Sequence, residues 1–167
     1  DLFKQAGIAV PTTWAEYAAA AAQIKAKGSF ITNFPKTDVN WFAGMVWQNS
    51  GQWFANDGTN WNVQLTSPKS LEVANYWQGL IDKGEVSTLA SFSDEWNKSF
   101  DTGAQWTWIS AVWGASTLST GAPNAAGKWA VAPMPQWTAG GKAAGNWGGS
   151  STAVLKGSKY PYEASQF

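Results

Sequence analysis

The stretch that decides the fold is residues 100–154, FDTGAQWTWISAVWGASTLSTGAPNAAGKWAVAPMPQWTAGGKAAGNWGGSSTAV. It contains three strand-like runs, at residues 106–109, 128–135 and 148–154. The first two runs end at loops rich in Gly and Ser. In open α/β folds, ligands bind outside such strand ends. We therefore expect this stretch to form one wall of a small-molecule cleft, which the rest of the chain supports.

The length and charge of the chain narrow its class. Its 167 residues are enough for one domain with a core of its own. The 11 basic residues are all Lys and balance 11 acids, so no basic stripe for nucleic acid is expected. No apolar run approaches the length of about 18 residues that suggests a membrane span. The first and last residues read as the middle of longer elements, so we expect a part of a longer protein.

Missing residue types restrict the chemistry. The chain has no Cys, His or Arg, which removes thiol nucleophiles, the commonest metal ligand and bidentate anion clamps. No metal or cofactor is therefore expected. Trp is in excess, with 13 residues, and Asn, Gln, Ser and Thr are frequent. The flat apolar face of Trp suits the apolar face of a sugar ring, and amides can bond to hydroxyls.

Capping signals predict most of the helices. Thr13 followed by Glu16 is a capping box, and it predicts a helix over residues 14–27. Ser67 followed by Pro68 predicts the start of another helix, which ends near residue 84. Further helices are predicted over residues 39–50, 93–103 and 111–118, a β-like run over 29–34, and a small hairpin between 53–54 and 61–63.

One pair of acids is a candidate catalytic site. Asp94 and Glu95 are adjacent in the first turn of a predicted helix. A glycosidase needs two carboxyl groups that face each other across the bond, and neighbours on a helix do not face each other. Acids in a first turn favour the helix dipole instead. The sequence therefore predicts a binding protein and no enzyme.

Four segments carry a resemblance to a known family. They are DLFKQAGIAVPTTWAEY at residues 1–17, FDTG followed by the Trp-rich run at 100–113, WAVAPMP at 129–135, and the run at 148–159 that begins with GGS. In this order the chain resembles the extracellular solute-binding proteins of ABC importers, in their sugar-binding, maltose-binding-protein-like group. It departs at residues 105–108, where QWTW replaces a small residue and Met.

The resemblance implies an α/β fold: a type II periplasmic-binding-protein-like lobe with helices packed around a small mixed sheet. Residues 1–146 correspond to the second lobe of a two-lobed protein. Residues 147–167 correspond to the hinge strand and the start of a helix returning to the first lobe. The family captures a sugar between its lobes and delivers it to a membrane permease. The resemblance thus implies a monomer that is periplasmic or a cell-surface lipoprotein, outside the cell in either case.

The same resemblance suggests site residues. Trp113 matches the Trp that stacks on sugar, and Trp41 lies near a helix-borne aromatic that reaches the ligand. Trp147 and Gly149 correspond to the mouth of the hinge strand. Three further residues are expected as hydroxyl partners of the sugar: Asn40, Gln48 and Ser110.

Two alternatives remain at this stage: a standalone carbohydrate-binding module and a glycosidase fragment. Carbohydrate-binding modules also use exposed Trp, but they are usually β-sandwiches, and the capped helices argue against that fold. A purely structural lobe would bury every Trp. Solvent-accessible Trp on one face of a cleft therefore distinguishes the binding interpretations from the structural one.

Overall fold

The computed structural model describes residues 2–166 of the chain. Asp1 and Phe167, the outer ends of the two predicted segments, lie outside these residues. The described chain contains helices α1 Leu2–Ala6, α2 Trp14–Lys25, α3 Val39–Gln48, α4 Pro68–Asp82, α5 Asp94–Asp101, α6 Gly114–Gly121 and α7 Pro161–Gln166, strands β1 Phe54–Asn56 and β2 Trp61–Val63, and a 3₁₀ turn at Pro123–Ala125.

The helices begin where the capping signals placed them. In α2 the Glu16 amide donates to the Thr13 hydroxyl at 3.2 Å, and the Thr13 amide donates back to the Glu16 carboxylate at 3.1 Å. This reciprocal pair confirms the predicted capping box. Ser67 and Ser93 cap α4 and α5 without a return bond, since each hydroxyl accepts one backbone amide of the first turn. Local sequence thus determines the starts of these helices.

Parallel pairing joins three short segments of the chain. Segment 30–34 lies between segments 85–87 and 104–107. The Ser87 amide donates to the Thr32 carbonyl at 2.9 Å, and the Thr107 amide donates to the Ile31 carbonyl at 2.8 Å. The hairpin of β1 and β2 is a separate antiparallel sheet of two strands. The α/β class predicted from the sequence is confirmed, and most of the regular secondary structure is helical.

Two of the strand-like runs are not strands, contrary to the prediction. Residues 129–132 and 148–154 have no regular secondary structure. They lie at the surface, where no other segment of the described chain pairs with them, and the Val131 side chain is 97% exposed. The remaining run, residues 106–109, pairs only at its beginning, where it overlaps the paired segment 104–107. An apolar run forms a strand only when a partner backbone satisfies its polar groups.

Two hydrophobic cores account for part of the Trp content. Five of the 13 Trp are buried. In the main core Trp77 lies 5.6 Å from Trp14 and 5.0 Å from Trp41, measured between ring centroids. A second, smaller core forms around Trp96 and Phe100, whose centroids are 4.6 Å apart. The second core supports the surface described next.

Candidate functional site

Four aromatic rings meet at one partly exposed place on the structure, and we call them the aromatic surface: Phe92, Trp108, Trp113 and Trp147. Ring centroids of Trp113 and Trp147 are 5.0 Å apart, and those of Trp108 and Trp113 are 5.6 Å apart. Phe92 lies 6.3 Å from Trp147 with the planes inclined by only 25°. Phe92 is exposed, and the three Trp residues are partly exposed to solvent.

The second core lies directly beneath the aromatic surface. Trp96 is fully buried, and its ring centroid lies 4.9 Å from that of Trp108 and 5.3 Å from that of Phe92. These pairs are edge-to-face or tilted contacts, which aromatic rings prefer to a face-to-face sandwich. The floor of the surface is therefore packed like a protein interior, and this packing restricts ring movement above it.

Trp113 is held at the start of α6. It is the N-cap residue, and its carbonyl accepts the Thr117 amide at 3.4 Å. The backbone of Gly148 passes beside its indole, since a Cβ built on Gly148 would lie 3.6 Å from the Trp113 Nε1 atom. Trp113 was expected in the first turn of a helix, and it lies one residue before that turn.

Trp147 is attached to α3. Its indole N–H donates to the Asp38 carboxylate at 2.9 Å, and the other Asp38 oxygen accepts the Trp41 amide at 3.0 Å at the start of α3. The backbone before Trp147 touches α3 as well: a Cβ on Gly44 would lie 2.6 Å from the Asn146 carbonyl oxygen. Only Gly permits this approach.

The structure brings together Trp113 and Trp147, which the sequence analysis proposed for the same site. Gly149 follows Trp147 closely, is exposed and has a φ of +123°. Ser110 is exposed just before Trp113, and the lack of a side chain on Gly114 leaves room for its hydroxyl. Asn40 is exposed on the first turn of α3.

Two of the proposed site residues lie in the core instead. Trp41 is 2% exposed, and its indole N–H donates to the Ile109 carbonyl at 3.3 Å. Gln48 is also 2% exposed, and its amide connects the Trp14 indole to the Pro135 carbonyl at 2.9 and 2.7 Å. Burial leaves neither side chain a free face, so we assign both to the core and not to the candidate site.

Two rings of the aromatic surface were not among the expected site residues. Phe92 was not expected at all, and Trp108 was noted only as a departure from the family pattern. A signal for Trp108 existed in the alternation of the run 106–109: Trp106 packs on the main core and Trp108 on the second core, as successive residues of an extended segment do. Phe92 gave no signal. Its φ of +70° is rare for a bulky L-residue, and nothing in the local sequence predicts it.

A shallow cleft of about 370 Å³ continues from the aromatic surface between α5 and α6. Phe92 belongs to both. The other lining residues are Asn97, Ser116, Thr117, Thr120 and Gly121. Ring faces beside amide and hydroxyl groups suit a ligand with apolar C–H faces and hydroxyl edges. Among residues 2–166 no group of acids is arranged to hold a metal ion, and no helix has the length and hydropathy needed to cross a membrane.

Helices around a few short paired segments, with an exposed aromatic surface beside them, give the chain an α/β fold with one candidate ligand site among the described residues. The sequence matches the family described as bacterial extracellular solute-binding protein over residues 1–167. The chain therefore belongs to this family, as the motifs in residues 1–17 and 100–159 indicated.

Several known proteins are similar to the chain. The ABC transporter associated binding protein from B. animalis subsp. lactis Bl-04, solved with β-1,6-galactobiose, is 34% identical with a TM-score of 0.81; the match covers 98% of this chain and 42% of that one. The galacto-N-biose-/lacto-N-biose I-binding protein from Bifidobacterium longum, solved with lacto-N-biose, is 30% identical with a TM-score of 0.81, covering 98% and 41%. An arabinooligosaccharide-binding protein of Halalkalibacterium halodurans is 24% identical, covering 100% and 38%. The chain thus spans about two fifths of the length of these relatives.

Proposed function

We propose that this chain is the sugar-binding second lobe of an ABC-importer solute-binding protein. The observation that carries the proposal is the aromatic surface, where Trp113, Trp147 and Phe92 present partly exposed rings above a packed floor. Such ring faces stack on the C–H faces of sugars. The relatives solved with galactobiose and lacto-N-biose support a disaccharide or longer sugar as the ligand.

The proposed division of the chain follows from the attachment of Trp147. The backbone of Gly145 and Asn146 packs on α3, which supports our assignment of the chain up to residue 146 to the proposed second lobe. From Trp147 onward it is proposed to lead through the hinge to the other lobe, and Gly148 and Gly149, both with positive φ, are suited to such a change in direction. This route also places the ring of Trp147 next to the proposed interlobe cleft.

In the proposed mechanism the sugar stabilises the closed arrangement of two lobes. Rings of the aromatic surface stack on one side of the sugar, while Ser110, Asn40 and the backbone at Gly149 offer hydrogen bonds. Contacts from the other lobe complete the site, and the ligand shifts the population toward the closed form. The closed monomer, outside the cell, then delivers the sugar to the membrane permease.

The alternatives are less well supported by the structure. A carbohydrate-binding module of the usual kind is a β-sandwich, whereas helices dominate this chain. Asp94 and Glu95 both lie in the first turn of α5, at the positive end of the helix dipole, and do not oppose each other across a cleft. We propose no catalytic role for either acid.

A titration of the complete protein that carries this chain tests the proposal. Trp fluorescence is followed during addition of β-1,6-galactobiose, lacto-N-biose or an arabinooligosaccharide. We expect a saturable change with at least one sugar, lost in Trp113→Ala and retained in Trp61→Ala, a matched change of an exposed Trp on the hairpin. Saturable binding unaffected by Trp113→Ala would refute the site, and the absence of binding to any sugar would refute the ligand class.

A further inference from the structure

We propose that Asp38 is a positioning residue, which holds the ring of Trp147 in place for the ligand without touching the ligand itself. The inference rests on the proposed function, because it assigns a role within the same site. Trp147 was suggested by the sequence, whereas Asp38 was not among the expected site residues.

The two carboxylate oxygens of Asp38 accept hydrogen bonds from two different residues. One accepts the Trp41 amide at 3.0 Å and caps α3; the other accepts the Trp147 indole N–H at 2.9 Å. A cap alone needs only one oxygen, and Ser or Thr would serve equally well there. The second oxygen makes a charge-assisted bond to a residue far away in sequence, and such bonds are stronger than neutral ones.

Helix α3 also contacts the backbone before Trp147. A Cβ on Gly44 would meet the Asn146 carbonyl, and one on Gly145 would meet the Gly44 backbone in turn. Trp147 is therefore attached to α3 at two points, by backbone contact before the residue and by the Asp38 bond at the tip of its ring. Two separate points of attachment fix the orientation of a side chain, whereas backbone contact alone leaves its rotamer free.

The two residues that follow Trp147 are glycines with positive φ. Gly148 and Gly149 have φ values of +83° and +123°, in a region that favours glycine. They provide little restraint on the ring from its C-terminal side. In the proposed two-lobed protein this segment moves as the lobes close, and the ring gains an anchor on the α3 side in addition to its contacts with Trp113 and Phe92. The bond from Asp38 supplies that anchor and preorganises the ring before the sugar arrives.

The test is a double-mutant cycle in the complete protein, with Asp38→Ser and Trp147→Phe. Serine keeps the helix cap but has no second oxygen and is too short to reach the indole. Phenylalanine keeps a ring but has no N–H. With whichever of the three sugars binds, we expect Asp38→Ser to raise Kd about tenfold, in the range of one charge-assisted hydrogen bond. In the Trp147→Phe background the same change should alter Kd less than about twofold.

Two controls separate positioning from stability. Ser67→Ala removes a cap from α4, away from the aromatic surface, and we expect it to leave Kd within about twofold. The indole N–H resonance of Trp147, assigned by its absence in Trp147→Phe, should shift in Asp38→Ser. An equal loss of affinity in both backgrounds would overturn the proposal, as would an unmoved Trp147 resonance. If no sugar binds, the proposed function fails, and the resonance alone decides on Asp38: a shift supports its bond to Trp147, and an unmoved signal overturns it.

Discussion

The indole planes of Trp113 and Trp147 are inclined by 55° at a centroid separation of 5.0 Å. Two rings at such an angle form a corner and not a flat platform. Each also limits the movement of the other, because the backbone of Gly148 passes beside the Trp113 indole directly after Trp147. We expect a sugar of the proposed class to contact both rings when it binds in this corner.

Loss of either ring should weaken sugar binding, and loss of both should cost less than the product of the two effects. Buried aromatic anchors contribute about 2 kcal/mol or more to binding, which corresponds to more than tenfold in Kd. We expect such a loss in Trp113→Ala and in Trp147→Ala, with non-additive energies in the double variant because the rings support each other. Calorimetric titration of the three variants measures this, and strict additivity would contradict the corner.

Gly44→Ala should disturb the site through backbone contact alone. The added Cβ would lie 2.6 Å from the Asn146 carbonyl oxygen, so the segment that carries Trp147 must move. We expect Kd for the sugar to rise about tenfold or more, since displacement of a binding ring removes its stacking.

Gly79→Ala is the matched control for this prediction. It makes the same chemical change inside α4, where an added Cβ meets no atom within 4 Å. Alanine in a helix is favoured over glycine by about 0.5–1 kcal/mol, so this variant should unfold at higher temperature and bind sugar normally. Equal affinity in the two variants would show that the contact at Gly44 does not matter for binding.

Trp41→Ala should affect stability first. Trp41 packs against Trp77 and Phe34 in the main core, so its truncation creates a cavity. Large-to-small core changes of this kind cost about 3–5 kcal/mol in the free energy of unfolding, whereas exposed Trp61→Ala should cost about 0.5 kcal/mol or less. Denaturant titration gives both values. A Trp41→Ala variant of normal stability that no longer bound sugar would return Trp41 to the binding site.

The capping box should make stability depend on acid pH. Hydrogen bonds from the Thr12 amide and hydroxyl, and from the Thr13 amide, hold the pKa of Glu16 below its ordinary value of 4.5. The stabilisation is therefore present above about pH 4.5 and is lost as the pH falls through the lowered pKa of the folded state.

Comparison of Glu16→Gln with the parent protein at pH 7 and pH 3 measures this contribution. The difference in the free energy of unfolding between the two proteins should shrink at pH 3. Glu95→Gln serves as the control, because it changes an acid in the first turn of α5 that is not part of a capping box. The third residue of α5, which corresponds to Glu16 in α2, is Trp96. A difference that stays constant with pH would contradict the prediction.

The parts of the fold that the sequence predicted are those decided locally. Thr13, Ser67 and Ser93 each satisfy amides within one turn, so their helices begin as expected. The hairpin β1–β2 closes around the Asp57-Gly58 turn for the same reason. In the candidate site, Trp113 and Trp147 were identified through the family resemblance, and the structure places them in contact.

The remaining features depend on distant partners. Helix α3 is apolar on several sides, so the spacing of its apolar residues does not predict which aromatic ring is buried. Trp41 is buried because Trp77 and Phe34, from other parts of the chain, pack against it. Residues 129–132 have the composition of a strand but no neighbouring backbone in the described chain. The conformation of Phe92 is imposed by its packing on Trp96 and Trp147, against the preference of its own backbone.

The close spacing of the aromatic surface also has an optical consequence. Transition dipoles of Trp108, Trp113 and Trp147 lie about as close as their ring centroids, 5.0–6.1 Å, and their planes are strongly inclined to one another. Chromophores in this arrangement share their excitation and give paired bands of opposite sign in circular dichroism. A sugar that changes the angles between these rings changes the bands, while the four buried Trp of the main core contribute a constant background. The protein therefore carries an unlabelled chiroptical reporter at its own candidate site.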